Sequence, residues 1–420
     1  MKIHLDLDSF FISAERIKNP NLKYIPAAVG GRGDPFIFNK KQKNRIDALQ
    51  KEGQAFLPNI FYNSNTDFKN YFIEKNRVRG IIITASYEAR KYGIKTGMSI
   101  KEALSIYPKL IVVPPNHLYY YSISNRLKEF LQTRIPLIEQ FSIDEFFGDL
   151  DGYIEDDVVD DFLISLKKEI ENRFLLPISI GAAKSKWIAK LATSFAKPNG
   201  IKIVKNNQLK EFIENIPIEK FPGIGKGYEK RLKKLKIKKL GEIRYAKELF
   251  YSWKKPGITL YKRVLGIDNE PILTSCPKKS IGISRTIDPI SDREEIKRRV
   301  VIMSRYLAFS ITKLNLNPKY FSLKIVYDFK VKSKAHEIIN RAFSEKLLKD
   351  IMLKLFLKAD IYKYSKIIRI GMMCGRFYDS KSFNLFTYQN DTKYQKLTMW
   401  TNIARKKYGI DTLKWGFEFI

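Results

Sequence analysis

Two short acidic stretches, far apart in the chain, place carboxylates inside otherwise apolar segments. The first, "HLDLDSFF", contains Asp6 and Asp8, and the second, "FSIDEFFGDL", contains Asp144 and Glu145. A buried carboxylate keeps its charge only beside a cation, a metal ion or several donors. If Asp6, Asp144 and Glu145 converge, they form a ligand set for Mg²⁺, and two such ions can clamp the oxygens of a phosphoryl transfer. The alternative is a set of unrelated surface acids.

Both acidic stretches lie on predicted strands. "KIHLDLD" alternates Ile3, Leu5 and Leu7 with polar residues, which is the period of a strand with one buried face. Asp6 and Asp8 then project to the same side. If Asp8 instead caps the helix predicted from "DSFFISAERI", only Asp6 remains as a ligand at the end of the sheet. Strands and helices alternate through "ISIGAA", and they predict a small α/β layer that brings both stretches together.

Two further segments carry groups that suit phosphate. "TASYEARKYG" holds Tyr87 and Arg90, which share one side of a helix and offer a hydroxyl and a guanidinium, or are simply an exposed pair. "FPGIGKGYEKRLKKL" places Gly223, Gly225 and Gly227 before a basic helix, whose first amides bind phosphate without regard to sequence. The alternative for this second segment is an ordinary helix-turn-helix with a basic face.

The composition favours a polyanionic partner. The 420 residues include 77 Lys+Arg against 44 Asp+Glu, a formal net charge of +33. This charge favours nucleic acid first and an anionic membrane second, although a generally lysine-rich proteome would also produce it. Two cysteines exclude a disulfide framework and a cysteine-cluster zinc site, and three histidines argue against a histidine-rich metal site. The first residues lack the apolar core of a signal peptide and no apolar run is long enough to span a membrane, so we expect a cytoplasmic protein.

The C-terminal third is predicted to be a separate domain. The segments "SIGISRTI", "DREEIKRRVVIMSRYLAFSITKL", "YFSLKIVYDF", "AHEIINRAF", "SEKLLKDIMLKLFL" and "KIIRIGMMCGRF" follow the order β-α-β-β-α-β, a ferredoxin-like split motif. Before them, "DNEPILTSCPKKS" has the proline-rich, non-periodic composition of a linker. The tail "LTMWTNIARKKYGIDTLKWGFEFI" is predicted to form an amphipathic helix and then a short strand.

With these residues described, the chain resembles the Y family of DNA polymerases, nearest to its DinB branch. The likeness is carried by "IHLDLDSFFISAE", "GIIITASYEARKYGIKTGMSIKEA", "FSIDEFFGDL", "ISIGAAKSKWIAKLATSFAKPNGIKIV", "FPGIGKGYEKRLKKL" and "KKSIGISRTI", which occur in family order. It implies an α+β, multidomain right hand. The implied parts are a ferredoxin-like palm (1–10 and 117–204), small fingers (11–116), a helix-hairpin-helix thumb (205–270), a linker (271–279), a β-α-β-β-α-β little finger (280–380) and a tail (381–420).

The resemblance also implies roles at the active site. Asp6 and Asp144 would bridge two Mg²⁺ ions, for which Mn²⁺ is a substitute, while Glu145 would bind the catalytic ion and the Leu7 carbonyl the nucleotide ion. Phe11 matches the steric gate that excludes a ribose 2′-hydroxyl, or is a core aromatic. The triphosphate clamp would consist of Tyr87, Arg90, Lys197 and the backbone amides of Phe10 and Phe11, although Lys197 is otherwise only an exposed basic residue.

Two surfaces are implied to grip the DNA backbone. In the thumb the candidates are Gly223, Gly225, Lys226 and Gly227. In the little finger they lie on one strand, where Ser280, Gly282, Ser284 and Thr286 alternate onto one face and Arg285 lies between them. Small polar side chains of this kind can follow a phosphate chain without reading bases.

The chain departs from the family pattern at two places. About residues 32–77 form an insert in the fingers that interleaves Lys and Arg with Phe and Tyr. Such a segment can bind single strands by stacking, or it can be a lineage-specific decoration that packs its own aromatics. Near the C-terminus, "SFNLF" partly matches the peptide that docks on the bacterial sliding clamp, with Phe383, Leu385 and Phe386 as anchors, unless it is only the edge of a last strand.

The leading functional hypothesis is a monomeric, template-directed and error-tolerant DNA polymerase. It would add dNTPs to the primer 3′-hydroxyl of primer-template DNA and copy past damaged bases. Three alternatives stay open: a UmuC-like bypass subunit that needs a partner, a non-catalytic DNA-binding scaffold, and a basic membrane-surface protein. The intact acidic and basic site residues argue against the scaffold, and the absence of a basic amphipathic anchor argues against the membrane.

Overall fold

The computed structural model describes residues 1–32, 37–38, 45–46, 61–62, 67–74, 76–378 and 386–418, with the backbone alone at 45–46 and 61–62. Most of the insert and the clamp-peptide anchors Phe383 and Leu385 lie outside the described residues. The chain forms two compact units. The first contains Met1–Gly30 and Ile81–Cys276, and the second contains Pro277–Ile420 together with the described residues between Gly31 and Gly80.

The described chain contains strands and helices in alternation. The strands are β1 (Lys2–Leu7), β2 (Ala27–Gly31), β3 (Arg45–Ile46), β4 (Phe61–Tyr62), β5 (Ile73–Glu74), β6 (Arg77–Val78), β7 (Ile81–Ala85), β8 (Ile111–Val113), β9 (Leu137–Gln140), β10 (Glu145–Asp149), β11 (Ile178–Ala183), β12 (Ile201–Val204), β13 (Ser280–Ile290), β14 (Pro318–Tyr327), β15 (Lys332–Ile338) and β16 (Ile367–Phe377). The α-helices are α1 (Phe10–Lys18), α2 (Phe68–Phe72), α3 (Tyr87–Lys91), α4 (Ile100–Ile106), α5 (His117–Gln132), α6 (Val159–Phe174), α7 (Lys186–Ala196), α8 (Leu209–Glu214), α9 (Lys226–Lys234), α10 (Lys247–Ser252), α11 (Lys254–Val264), α12 (Arg293–Lys313), α13 (Glu345–Ala359) and α14 (Tyr388–Tyr408). Short 3-10 helices occur at Pro20–Leu22, Asn206–Gln208, Ile218–Lys220, Leu240–Tyr245 and Gly416–Glu418.

The palm of the first unit is a five-stranded sheet in the order β12-β11-β1-β10-β9. The central strand β1 is antiparallel to both β10 and β11. Its alternation predicted one buried face, but His4 is buried as well as Ile3 and Leu5, because helix α7 also covers this sheet. Gly181 permits that close packing, since a Cβ there would lie 2.2 Å from the carbonyl oxygen of Ala189.

The fingers contain a small sheet of their own, whereas the thumb shares a hydrophobic core with helix α7 of the palm. In the fingers, β7, β2 and β8 form a three-stranded sheet, and α3 begins at a Ser86 side chain that accepts from the Ala89 amide. The thumb helices α8 to α11 enclose Phe221, Leu232 and Phe250. These short elements carry the two predicted phosphate-binding segments at their helix starts.

The second unit contains the predicted split motif in full. The sheet order is β13-β16-β14-β15, and β16 is antiparallel to both of its neighbours, β13 and β14. Helix α12 connects β13 to β14 along the chain. The described insert residues belong to this unit: Ile37 packs with Ile302, Tyr306 and Phe309 of the same cluster. After α14 the chain forms the 3-10 helix Gly416–Glu418, so the predicted short strand is wrong for the described part of the tail.

Candidate active site

The palm sheet brings the three predicted carboxylates to one end of β1. Asp6 and Glu145 are register partners across β1 and β10. The Leu7 amide donates to the Asp144 carbonyl oxygen at 3.0 Å, which holds Asp144 at the start of β10. All three carboxylates are partly buried. The two acidic stretches are therefore adjacent, as predicted, because two antiparallel neighbours in one sheet carry them.

Burial, reinforced by the neighbouring acids, raises the pKa of Asp6 and of Asp144. Burial, together with the charges of Asp144 and Glu145, raises the pKa of Asp6 to about 7 against the opposing effect of Lys197. Burial also raises the pKa of Asp144, although the Ser142 hydroxyl that donates to it acts in the opposite direction. The site is thus an accumulation of negative charge that a cation would stabilise.

Two lysines, one within α7 and one directly after it, place positive charge beside these acids. Lys197, which follows α7, places its Nζ 2.6 Å from Asp6 Oδ1, while its predicted role in binding the triphosphate stays a prediction. Lys190, on α7, forms an ion pair with Glu145. Sequence reasoning missed Lys190, although its place among apolar residues of "KWIAKLATSFAK" was an available signal.

His4 lies beneath this charge cluster. Its Nε2 is 3.3 Å from Lys190 Nζ, and its Nδ1 is 2.9 Å from Thr193 Oγ1. Burial, reinforced by the neighbouring lysines, lowers the pKa of His4 well below its ordinary value. His4 is therefore neutral and supports Lys190 without serving as an exposed base.

Asp8 gathers three donors and does not cap helix α1. The residue that precedes α1 is Ser9, and its side chain makes no capping hydrogen bond, so the alternative of Asp8 as an N-cap is wrong. The buried Asp8 carboxylate accepts from the Tyr87 hydroxyl at 3.0 Å, the Ser179 hydroxyl at 2.7 Å and the Asn199 amide at 2.7 Å. It thereby connects the fingers helix α3 to the palm and to the turn that carries Lys197.

Tyr87 and Arg90 share one side of α3, as their spacing predicted. The Arg90 guanidinium lies 4.8 Å from the centre of the Tyr87 ring, and its Nε donates to the Ala85 carbonyl at 3.0 Å. Burial and the charge of Asp8 raise the pKa of Tyr87. Since a phenol has one proton to donate, a phosphate group must compete with Asp8 for the Tyr87 hydroxyl.

The two phenylalanines that begin α1 have different environments. Phe10 is buried, whereas Phe11 is partly exposed and stacks on the Tyr120 ring at 4.5 Å and 14°. The Tyr120 hydroxyl donates to Glu15 at 2.6 Å, which fixes the lower ring of the stack. Phe11 is therefore a rigid aromatic surface and not a fully enclosed core residue.

The oxygen atoms at this site are of the types that bind hard divalent cations. Carboxylate oxygens and a backbone carbonyl such as that of Leu7 are their preferred ligands. Across the described ranges, no three acidic, histidine or cysteine side chains are close enough to share one ion. Two of the carboxylates are instead paired with Lys190 and Lys197, so an ion competes with these ammonium groups for the same oxygens.

The predicted DNA-binding glycines lie in a turn suited to close backbone approach. Gly223 has φ +103°, a backbone conformation in which a residue with a side chain would be strained. A Cβ at Gly225 or Gly227 would meet nothing within 4 Å, so there is open space beside these two positions at the start of α9, where Lys226 is the first residue.

The predicted little-finger strand face is also present. Ser280, Gly282, Ser284 and Thr286 are exposed along β13, and the Ser284 hydroxyl accepts from Arg369 Nε at 3.0 Å. Arg285 points to the other side of the strand by the alternation of β13. Of the clamp-peptide anchors, only Phe386 is described, and its side chain is 96% exposed.

Solved structures with a similar fold are Y-family DNA polymerases. A Y-family DNA polymerase chimera has a TM-score of 0.70 at 24% identity and covers 90% of this chain and 99% of its own. DinB from Sulfolobus solfataricus has a TM-score of 0.55 at 23% identity, with the same coverage. The fold class predicted from the sequence is confirmed.

Family models define the relationship more narrowly. The impB/mucB/samB family matches residues 5–194, its C-terminal domain 278–385 and its HHH motif 206–237. The chain belongs to this family and is a DinB-like Y-family DNA polymerase, as the resemblance indicated. DNA polymerase IV of Staphylococcus aureus (strain JH9) is 28% identical over 393 residues, 92% of this chain and 98% of the relative. DNA polymerase IV of Streptococcus mutans is 29% identical over 337 residues, 79% of this chain and 80% of the relative.

The described helices give no sign of a membrane segment. None of them combines the length and apolar character needed to cross a bilayer.

Proposed function

We propose that the chain is a translesion DNA polymerase that extends a primer 3′-hydroxyl with dNTPs by two-metal phosphoryl transfer. The observation that carries the proposal is the convergence of Asp6, Asp144 and Glu145 at one end of the palm sheet beside Lys197. The curated relatives are named DNA polymerase IV, and two of the similar structures are complexes of Dbh DNA polymerase, one described as an insertion ternary complex.

The carboxylates and the Leu7 carbonyl would hold two divalent ions, Mg²⁺ or in its place Mn²⁺. When bound, these ions neutralise phosphate charge and lower the pKa of the attacking hydroxyl. Lys190 and Lys197, which are paired with Glu145 and Asp6, would be free to bind other anionic groups if those carboxylates held metal ions. Catalysis then consists of positioning and charge neutralisation, and no side chain acts as a strong base.

The remaining site residues bind and select the nucleotide. Lys197 and Arg90 approach the triphosphate as cations, and the Tyr87 hydroxyl reaches it by leaving Asp8. Phe11, held by its stack on Tyr120, faces the sugar and excludes a 2′-hydroxyl. The amides around Gly225 and the exposed face of β13 grip the DNA backbone without reading bases.

Primer extension tests the proposal directly. The wild-type chain, Asp144→Asn plus Glu145→Gln, and the control Asp149→Asn at the opposite end of β10 are compared with Mg²⁺, four dNTPs and an undamaged template. We expect extension by the wild type and the control and none by the double variant. Salt-sensitive DNA binding without extension by any of the three would contradict a self-sufficient polymerase and favour a scaffold or a partner-dependent subunit.

A further inference from the structure

One side of helix α14 packs against the rest of the second unit through ion pairs and a hydrogen bond. Arg405 and Glu345 form an ion pair in which both side chains are buried. Asp391, the only acid of the helix, is buried and paired with Arg341, and the Thr398 hydroxyl accepts from the Glu345 amide at 3.1 Å. These contacts fix which side of α14 faces inward. The helix lies beyond the C-terminal family model, which ends at residue 385.

The opposite side of α14 is basic and aromatic. Lys396, Trp400, Ile403 and Lys407 follow one another at helical intervals of four, three and four, and Met399 lies beside them. Trp400 is 64% exposed, Ile403 54% and Met399 50%. We name these five residues the lysine–tryptophan face. The charged residues that α14 exposes are all lysines, because its single acid is buried.

The charge of this face decides what it binds. Two copies of the face would repel each other, so it does not mediate self-association through itself. A basic surface with an exposed indole suits single-stranded nucleic acid, in which an unpaired base stacks on the ring and lysines neutralise phosphates. A duplex presents no free base face to Trp400. Of the four tryptophans, Trp187 is buried and Trp253 and Trp415 are only partly exposed, which leaves Trp400 as the accessible ring.

We propose that the lysine–tryptophan face binds single-stranded DNA, with Trp400 stacked on a base and Lys396 and Lys407 beside flanking phosphates. The source of that strand, unpaired template, rests on the proposed polymerase function. The binding itself requires no catalysis. The face is thus a second DNA contact of this chain, outside the segments that the family models cover.

Tryptophan replacement tests the stacking contact. Full-length protein is titrated with a fluorescein-labelled oligo(dT) single strand and with a blunt hairpin duplex of equal phosphate number. We expect Trp400→Ala to weaken single-strand binding about tenfold and Trp400→Phe to retain most of it, since phenylalanine also stacks. The single strand should quench tryptophan fluorescence in the wild type and not in Trp400→Phe. Leu357→Ala, which removes an exposed apolar side chain from α13, is the matched control and should change nothing.

Lysine replacement tests the phosphate contacts independently. Lys396→Ala plus Lys407→Ala should reduce the slope of log K against log salt by about 1.4, or about 0.7 for each contact to a single strand. Lys354→Ala plus Lys358→Ala on α13, beside Glu337, should leave the slope unchanged. Melting temperatures of all variants confirm that folding is equal.

Failure of this inference is separable from failure of the proposed function. The metal-site variant Asp144→Asn plus Glu145→Gln should show the same fluorescence quenching as the wild type, so the binding test holds whether or not primers are extended. Unchanged single-strand affinity and salt slope in both the Trp400 and the lysine variants would overturn the inference.

Discussion

Replacing Asp6 by Asn should stabilise the chain in the absence of metal, even though it removes a residue of the proposed catalytic site. In the folded chain the pKa of Asp6 is raised from 3.8 to about 7, chiefly by burial. Because the folded-state pKa is the higher one, the associated stability is fully present below about pH 4 and is lost as the pH rises through 7. Asp6→Asn does not titrate and escapes this loss.

The size of the effect follows from the shift. About 3 pKa units at about 1.4 kcal/mol each give about 4 kcal/mol between pH 4 and pH 8, and more than half of it falls between pH 5 and pH 8. For a unit of this size a difference of 1 kcal/mol moves the melting temperature by about 2–4 °C. The advantage of Asp6→Asn over the wild type should therefore grow by roughly 5 to 10 °C from pH 5 to pH 8.

The assay is thermal unfolding of both proteins in EDTA at pH 5 and pH 8. Asp8→Asn is the contrasting control: it should destabilise the chain at both pH values, because an amide cannot accept from all three donors around Asp8. Added Mg²⁺ should raise the melting temperature of the wild type at pH 8 more than that of Asp6→Asn. An identical difference between wild type and Asp6→Asn at the two pH values would refute the reasoning.

Four further predictions test the site and its surroundings. Phe11→Ala should raise ribonucleotide incorporation relative to deoxyribonucleotide incorporation at least tenfold in kcat/KM, on the scale of losing one well-packed discriminating contact, and an unchanged ratio would contradict the gate. Lys190→Met should lower the Mg²⁺ concentration needed for half-maximal extension, because it removes a competing cation from Glu145; a higher requirement would count against that competition. Gly223→Ala should cost about 1–3 kcal/mol in thumb stability, whereas Gly225→Ala, with ordinary φ and open space, should cost little, as thermal melts can show. If about 6 to 10 phosphates are neutralised, log K for primer-template should fall with log salt at a slope of about −5 to −9, and a nearly flat dependence would exclude backbone-dominated binding.

The sequence predicted the convergence of the acids because strand periodicity and two short motifs suffice to place them. To predict that Asp6, Asp144 and Glu145 lie close together, it was enough to assume that the two acidic stretches are neighbours in one sheet. The pairing of β1 with β10 agrees with that assumption. The helical spacing of Tyr87 and Arg90 was local information of the same kind.

What the sequence did not predict depends on partners that are distant in the chain. Asp8 is of a residue type that often caps a helix and precedes one in the sequence. In the structure its carboxylate instead accepts hydrogen bonds from donors 79, 171 and 191 residues away. Lys190 and His4 meet across 186 residues, and neither spacing nor residue type indicates that pair. The insert and the clamp-like peptide largely lie outside the described residues, so their predicted roles stay predictions.

The position of β1 at the centre of the palm sheet also sets an order for events on the ribosome. Among the described strands, β1 pairs with β10 and β11 alone, whose residues are made about 140 to 180 positions later. At a typical rate of 5–20 residues per second, the strand that carries Asp6 waits roughly 10 to 30 s for its partners. Both edges of β1 are therefore paired only after about 180 of the 420 residues have been made, and nascent chains that stop before β10 keep a strand with two unpaired edges, the kind of species that chaperones must protect from aggregation.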